Sequence, residues 1–301
     1  MLSFNKSLNL TLKSTQFRKG CLSIISNNYC AQIDKNDEVR LSYLTDERQG
    51  IAVIELNRQK EKNSFSRHMA AKLHEFTDIL STDKNVRAVI IRSLVKGVFC
   101  AGADLKERKT MTPVDVHRFV NSLRSMATKF ENLPMPTIAA VDGAALGGGL
   151  ELALSCDLRV ASSSAKMGLV ETRLAIIPGA GGTQRLPRLI NVSLAKELIY
   201  TARVFNGDDA LKMGIVNHSV PQNDDGDAAF NRAMKLAEEI LPNGPVGVRM
   251  AKRAISKGIQ VDLNSGCCIE EDCYSQIINT KDRLEGLSAF AEKRKPNYTG
   301  E

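Results

Sequence analysis

The sequence predicts an α/β fold in which strands lead repeatedly into helices, followed by a last third made of helices. Three observations carry that expectation. Apolar runs of strand length at residues 39–44, 51–56, 86–91 and 137–141 alternate with helical stripes. Helix-start chemistry stands ahead of those stripes, at Ser66 and at Thr112-Pro113. Beyond Gly182 the strand signals stop, and helical periodicity punctuated by Gly244-Pro245 and Gly258 takes over.

In chain order, residues 39–44 and 51–56 read as a hairpin with its loop at 46–50. A turn at 63–66 places Ser66 as the N-cap of a helix with the apolar stripe Met69, Leu73, Phe76 and Leu80. Residues 86–91 read as a buried strand. Thr112 caps the next helix, Pro113 takes its first position, and Val116, Phe119, Leu123 and Met126 form its stripe. Pro134 and Pro136 close the connection to a strand at 137–141. Further helices are read at 194–201, 208–213, 228–241, 245–257, 269–278 and 281–290.

At 301 residues the chain can bury a full core in one large domain or two modest ones. Its 43% hydrophobic and 25% charged content is an ordinary globular balance. The longest apolar runs are too short to span a bilayer. The net charge of +7 suits a polyanionic ligand, a mitochondrial matrix protein or weak nucleic-acid binding, and does not choose among them. Cys21, Cys30, Cys100, Cys156, Cys267, Cys268 and Cys273 show neither CxxC nor His-paired spacing, which argues against zinc and a disulfide framework and for buried free thiols. Residues 1–33 carry no Asp or Glu, but Lys6, Lys13, Arg18 and Lys19 stand among many Ser and Asn. That is the composition of a mitochondrial transit peptide, and also that of a disordered tail.

The chemistry concentrates between Val141 and Gly182. Gly147, Gly148 and Gly149 open a helix-like apolar run, and Glu151 and Glu171 stand among apolar residues. Carboxylates are rarely buried unless paired or used, and burial raises their pKa. Glycines at a helix start leave the backbone amides open to a ligand. Amides aimed at an oxygen with two carboxylates nearby make an oxyanion hole with an acid/base pair. Read alone, the triplet also fits a close helix crossing, and Glu171 a carboxylate at a helix N-terminus. The glycine-rich run from Pro178 to Arg188 lacks the Lys-Ser/Thr of a P-loop and reads as a tight turn that shapes a pocket and starts a helix. His68, His74, His117 and His218 have no ligand spacing, and no GxSxG elbow exists.

ALGGGLELALSCDLRVA, MGLVET and IIPGAGGTQRLPR, with FCAGADLKER upstream and EGLSAFAEKRKP downstream in the same order, resemble the crotonase (enoyl-CoA hydratase/isomerase) family. The resemblance implies a ββα superhelix over about 39–235 and a helical region at 236–301 that packs subunits into a homotrimer or homohexamer. It implies an acyl-CoA thioester substrate, coenzyme A being part of that substrate, and neither metal nor separate cofactor. By the family pattern, Ala103 and Gly148 supply the two oxyanion-hole amides, and Glu151 and Glu171 are catalytic. Retaining both glutamates points to water addition, with 3-methylglutaconyl-CoA of leucine breakdown as the substrate expectation and a broader short-chain enoyl-CoA hydratase as the alternative. Ala103, Asp104, Leu105, Lys106, Gly148, Phe290 and Lys293 match positions that line the coenzyme A, and Lys252, Arg253, Arg294 and Lys295 are further cations available to its phosphates. An extra substrate carboxylate would want a cation, for which Arg173 is a candidate. Relatives that bind AU-rich RNA use basic residues along the first helix. Here Ala71 and Glu75 interrupt the stripe that Arg67 and Lys72 would need, so only weak RNA binding is expected.

Overall fold

A computed structural model describes residues 29–30 and 37–301. The acid-free leader read at 1–33 lies outside them, apart from the short strand β1 (Tyr29–Cys30). β2 (Val39–Leu44) and β3 (Ile51–Leu56) pair antiparallel as the expected hairpin, with Val39 opposite Leu56 and Tyr43 opposite Ala52. α1 (Arg67–Thr82) starts where Ser66 Oγ accepts the Met69 amide at 3.0 Å. β4 (Ala88–Ser93) runs parallel to β3, two residues beyond the expected strand. Arg249 accounts for the delay: its guanidinium takes the Lys84 and Val86 carbonyls at 2.8 and 3.1 Å.

From there the chain spirals. β5 (Val98–Cys100), the short α2 (Leu105–Arg108) and α3 (Pro113–Glu131) lead to β6 (Thr137–Val141); β7 (Ala144–Leu146) and α4 (Gly148–Leu154) lead to β8 (Leu158–Ser162). β9 (Met167–Gly168), α5 (Gly182–Leu189), α6 (Val192–Tyr200) and α7 (Gly207–Lys212) lead to β10 (His218–Val220). The strands sort into two sheets, β1-β2-β3-β4-β6-β8-β10 and β5-β7-β9. Each turn therefore lays one strand in each sheet before helices carry it back, a ββα superhelix. β10 falls where only helices were expected, because three residues are too few to show a period.

The parallel part of the large sheet is apolar on both faces, as parallel strands covered on both sides must be. α1 and α3 pack together through Met69, Leu73 and Leu80 against Phe119, Leu123, Met126 and Phe130 in the main core. α3 opens on a complete capping box between Thr112 and Asp115. On the other face α8 (Ala228–Ile240) presents Ala229, Ala233 and Ala237 to Val53, Ile90, Ala140 and Val160. These small residues let the helix lie close. Asp142 accepts the Ala229 and Phe230 amides at 2.7 and 3.1 Å and fixes its first turn.

α9 (Pro245–Gly258), α10 (Leu263–Ile278) and α11 (Lys281–Ala291) complete the chain. α10 begins six residues before the expected 269, because Asp262 caps it through the Ser265 amide. Lys252 ties α9 to the core through Asp157 Oδ2 at 2.7 Å and the Met135 carbonyl at 2.9 Å. These last helices leave Ile255, Ile259, Leu263, Leu284, Leu287 and Phe290 exposed. Cys100, Cys156 and Cys273 are buried, but Cys267 and Cys268 are exposed on α10, contrary to the expectation of buried thiols. Among the described residues no helix is long and apolar enough to cross a membrane.

One glycine sets how closely α4 lies on β5. A Cβ at Gly149 would stand 2.1 Å from the Cys100 carbonyl oxygen, whereas one at Gly247 in α9 meets nothing within 4 Å. Gly149→Ala is therefore expected to destabilise by at least the about 1–3 kcal/mol typical of overpacking, while Gly247→Ala is neutral or stabilising. Denaturant titration of both variants checks this, and equal midpoints would contradict it.

Candidate active site

Three loops converge where the small sheet ends. β5, β7 and β9 lie side by side and parallel, and Ala103, Gly148 and Glu171 each follow one of them by two or three residues. Groups beyond the carboxyl ends of neighbouring parallel strands face one crevice. Residues distant in sequence therefore meet.

The loop after β5 is pinned on both sides of Ala103. Phe65 N donates to the Gly102 carbonyl at 2.7 Å, and Asp104 N donates to the Phe65 carbonyl at 3.1 Å. In such a parallel bridge Ala103's own amide points away from its partner strand. Asp104 caps α2 through the Lys106 and Glu107 amides and accepts from Arg58 Nη1 at 2.8 Å. Burial alone would raise the Asp104 carboxyl, but Arg58 and these amides outweigh it and hold it below its ordinary value. The Asp104 side chain is thus committed to holding the loop. Leu105 and Lys106 are exposed on the first turn of α2.

The loop after β7 reaches the helix start through Gly147, at φ 53° and ψ −124°, a region favouring glycine. A Cβ there would approach Glu171 Oε1 at 3.1 Å. The two loops touch backbone to backbone: a Cβ at Gly102 would lie 2.8 Å from the Leu146 carbonyl oxygen and 3.3 Å from the Gly148 nitrogen. The amides of Ala103 and Gly148 donate to no other backbone group among the turn and cap bonds of the described residues. They are available to a ligand oxygen.

Glu151 follows Gly148 by one turn of α4, with 3% of its surface exposed. Its Oε1 accepts the Ala180 amide at 2.8 Å and the Gly182 amide at 2.7 Å. Gly182 opens α5, so the carboxylate also meets the positive end of a helix. Burial pushes its pKa up, while the two amides, Arg185 and Arg124 draw it back in part. Glu171 is placed differently. Its Oε2 is buried without a hydrogen-bond partner among the described residues. Burial, and then the charge of Glu151, push it up to about 7. Both carboxyls are thus raised, Glu171 by the charge of its neighbour as well as by burial. Such a crevice can receive an oxygen on two amides while one carboxylate takes a proton and one carboxylic acid gives one.

The structure thus brings Ala103, Gly148, Glu151 and Glu171 together. Phe290 is 87% exposed on α11, and neither it nor Lys293 bonds to those four residues among the described residues. Lys252 is committed to Asp157, and Arg253 faces Asp272 at 3.6 Å. On α1, Lys72 is paired with Glu75, and Arg67 faces Glu107 at 3.7 Å. The turn at 178–182 starts a helix as expected, but its amides also hold Glu151. Only the two glycines before α5 signalled that role. Arg108 went unnoticed in the sequence. It lies on α2 near enough to lower the Glu171 pKa, and its guanidinium has no hydrogen bond or close ion pair among the described residues.

Residues 46–301 match the family model described as Enoyl-CoA hydratase/isomerase. The chain is 57% identical over 273 residues to the mitochondrial methylglutaconyl-CoA hydratase of Mus musculus, covering 91% of this chain and 87% of that protein. It is 53% identical over 266 residues to the mitochondrial enoyl-CoA hydratase domain-containing protein 2 of Mus musculus, covering 88% and 90%. The crystal structure of enoyl-CoA hydratase from Bacillus anthracis superposes with a TM-score of 0.84 at 48% identity, covering 88% of this chain and all of that one.

The Glu171 pKa has a consequence for stability. Because it is raised in the fold to about 7 from 4.5, its contribution is fully present below the unfolded value and is lost as pH rises through the folded one. Glu171→Gln removes that loss, so its melting temperature should exceed wild type more at pH 8 than at pH 5. Thermal unfolding at both values tests this. An equal difference at the two would refute the burial of a titrating Glu171.

Proposed function

The chain belongs to the enoyl-CoA hydratase/isomerase family, and on that premise we propose how its residues carry the reaction. It is a hydro-lyase of the enoyl-CoA hydratase kind. The observation that carries the mechanism is the pair of unequal carboxyls, Glu151 and Glu171, beside two unengaged amides.

The thioester carbonyl oxygen accepts from Ala103 and Gly148. Glu151 takes a proton from water, whose oxygen attacks Cβ. The double-bond electrons move toward the carbonyl, and the resulting enolate-like oxygen is stabilised by the two amides, each worth about 10²–10³ in rate. Glu171 delivers its proton to Cα. Leu105 and Lys106, exposed beside Ala103, are placed to follow the coenzyme A chain. By the family pattern, Phe290 and Lys293 reach such a ligand from a neighbouring copy of the chain.

The proposed substrate is 3-methylglutaconyl-CoA. The Mus musculus relative named for that activity supports it. So does Arg108, an uncommitted guanidinium beside Glu171 and a better match for the distal carboxylate than Arg173, which is exposed beyond Glu171. The exposed apolar residues of α9–α11 support assembly into a homotrimer or homohexamer. Mitochondrial relatives, together with the acid-free residues 1–33, support import into the matrix and removal of that segment.

Hydration assayed across a panel of enoyl-CoA thioesters, with and without a distal carboxylate, tests this reading. Glu151→Gln and Glu171→Gln should each lower kcat by about 10²–10⁴ while binding of a saturated acyl-CoA survives. Near-wild-type hydration by either would refute the mechanism. Arg108→Met should raise KM for 3-methylglutaconyl-CoA about 10–100-fold, the worth of a charged hydrogen bond, and leave an uncharged enoyl-CoA nearly unaffected. An equal effect on both substrates would remove Arg108 from carboxylate recognition.

A further inference from the structure

Arg185, in the first turn of α5, takes no part in the steps above, yet each nitrogen of its guanidinium makes a hydrogen bond. Nη1 donates to the Ala180 carbonyl at 2.9 Å, and Nε and Nη2 donate to Glu131 Oε2 at 3.2 and 2.7 Å. The Arg185 side chain is 13% exposed, and Glu131 closes α3. A Cβ at Gly181 would fall 2.1 Å from Arg185 Nη1, so a side chain there would displace the guanidinium. From α3, Arg124 Nε donates to the Gly179 carbonyl at 3.0 Å.

The peptide plane explains why this matters. The Gly179 carbonyl and the Ala180 amide are opposite ends of one rigid trans unit. Arg124 holds the oxygen end, and Glu151 accepts from the nitrogen end at 2.8 Å. The next carbonyl, of Ala180, is held by Arg185. Two cations thus grip the outer side of the turn whose inner amides hold the carboxylate. The charged groups that face Glu151 are Glu171 from the loop after β9, Arg185 from α5 and Arg124 from α3, with Glu131 behind Arg185.

We propose that the Arg185–Glu131 pair, assisted by Arg124, is a positioning device that aims the Ala180 and Gly182 amides at Glu151 and keeps it ionised as the base. Arg185 supplies both the aim and the positive potential. Glu131 supplies the aim alone, because it anchors the guanidinium and carries the opposite charge. This rests on Glu151 acting as the base.

The test compares Arg185→Gln, Arg185→Lys and Glu131→Gln in the full chain, with kcat and kcat/KM of hydration followed from pH 5 to pH 9. Arg185→Gln should lower kcat about 10–100-fold, the scale for a small misplacement of a catalytic group, and move the acid limb of kcat/KM to higher pH. Arg185→Lys and Glu131→Gln keep the cation but loosen its grip, so kcat should fall while the acid limb does not rise. Pure packing would instead lower the melting temperature in all three and leave superimposable profiles and a wild-type kcat per folded molecule, which overturns the proposal. If Arg185→Gln does not fold, unchanged kcat in the two cation-retaining variants overturns it equally. A fully active Glu151→Gln would place the failure in the catalytic reading. An inactive one, beside an unaffected Arg185→Gln, would place it here.

Discussion

A carboxyl with 3% of its surface exposed has to be matched by donors fixed before any ligand arrives. Glu151 imposes that requirement on everything near it. It recruits two main-chain amides and the first turn of α5. Those amides in turn require a turn that is itself held from outside by Arg185 and Arg124. At Glu171, half-buried and with Oε2 unpartnered among the described residues, burial and the Glu151 charge push the pKa up to about 7. Two like side chains thus meet unlike surroundings, two amide donors at one and an unpartnered oxygen at the other.

The two sheets bring this constraint within reach of a substrate. Alternating strands between the sheets puts the ends of β5, β7 and β9 side by side, although they lie far apart in the chain. The Ala103 and Gly148 amides come from two of those ends and the Glu171 carboxyl from the third. No side chain is needed at Gly148, and a Cβ there would press on Phe65 at 3.3 Å. A close crossing of loops leaves backbone, not side chains, facing the crevice.

Local chemistry was legible in the sequence, and pairing across the chain was not. Ser66 and Thr112-Pro113 announce their helices because caps are local. Glu151 and Glu171 stand out because carboxylates interrupt apolar runs. β9 and β10 stayed hidden, since two or three residues carry no period. Lys252 looked free for a phosphate only because its partner, Asp157, is 95 residues away. Arg108 had the opposite fate: it reads as an ordinary helix cation, and only its nearness to Glu171 gives it meaning. Phe290, at the exposed end of α11, has no side-chain partner among the described residues that a local sequence pattern would reveal.

The spiral also determines when the site comes into being. Val98 pairs with Ala144, and Ala145 with Met167, so each junction of the small sheet closes a loop of twenty or more residues. Such non-local pairings carry a chain-closure entropy that is repaid only once both partners are docked, which slows folding. α1 and α3 can form helical turns by themselves. The crevice cannot, because Gly147 and Glu171 find each other only after the third strand has been added. A chain stalled one turn short would look well structured by its helices and have nowhere to put a thioester oxygen. The crevice depends on pairings drawn from across the chain, so formed helices alone are no sign that it exists.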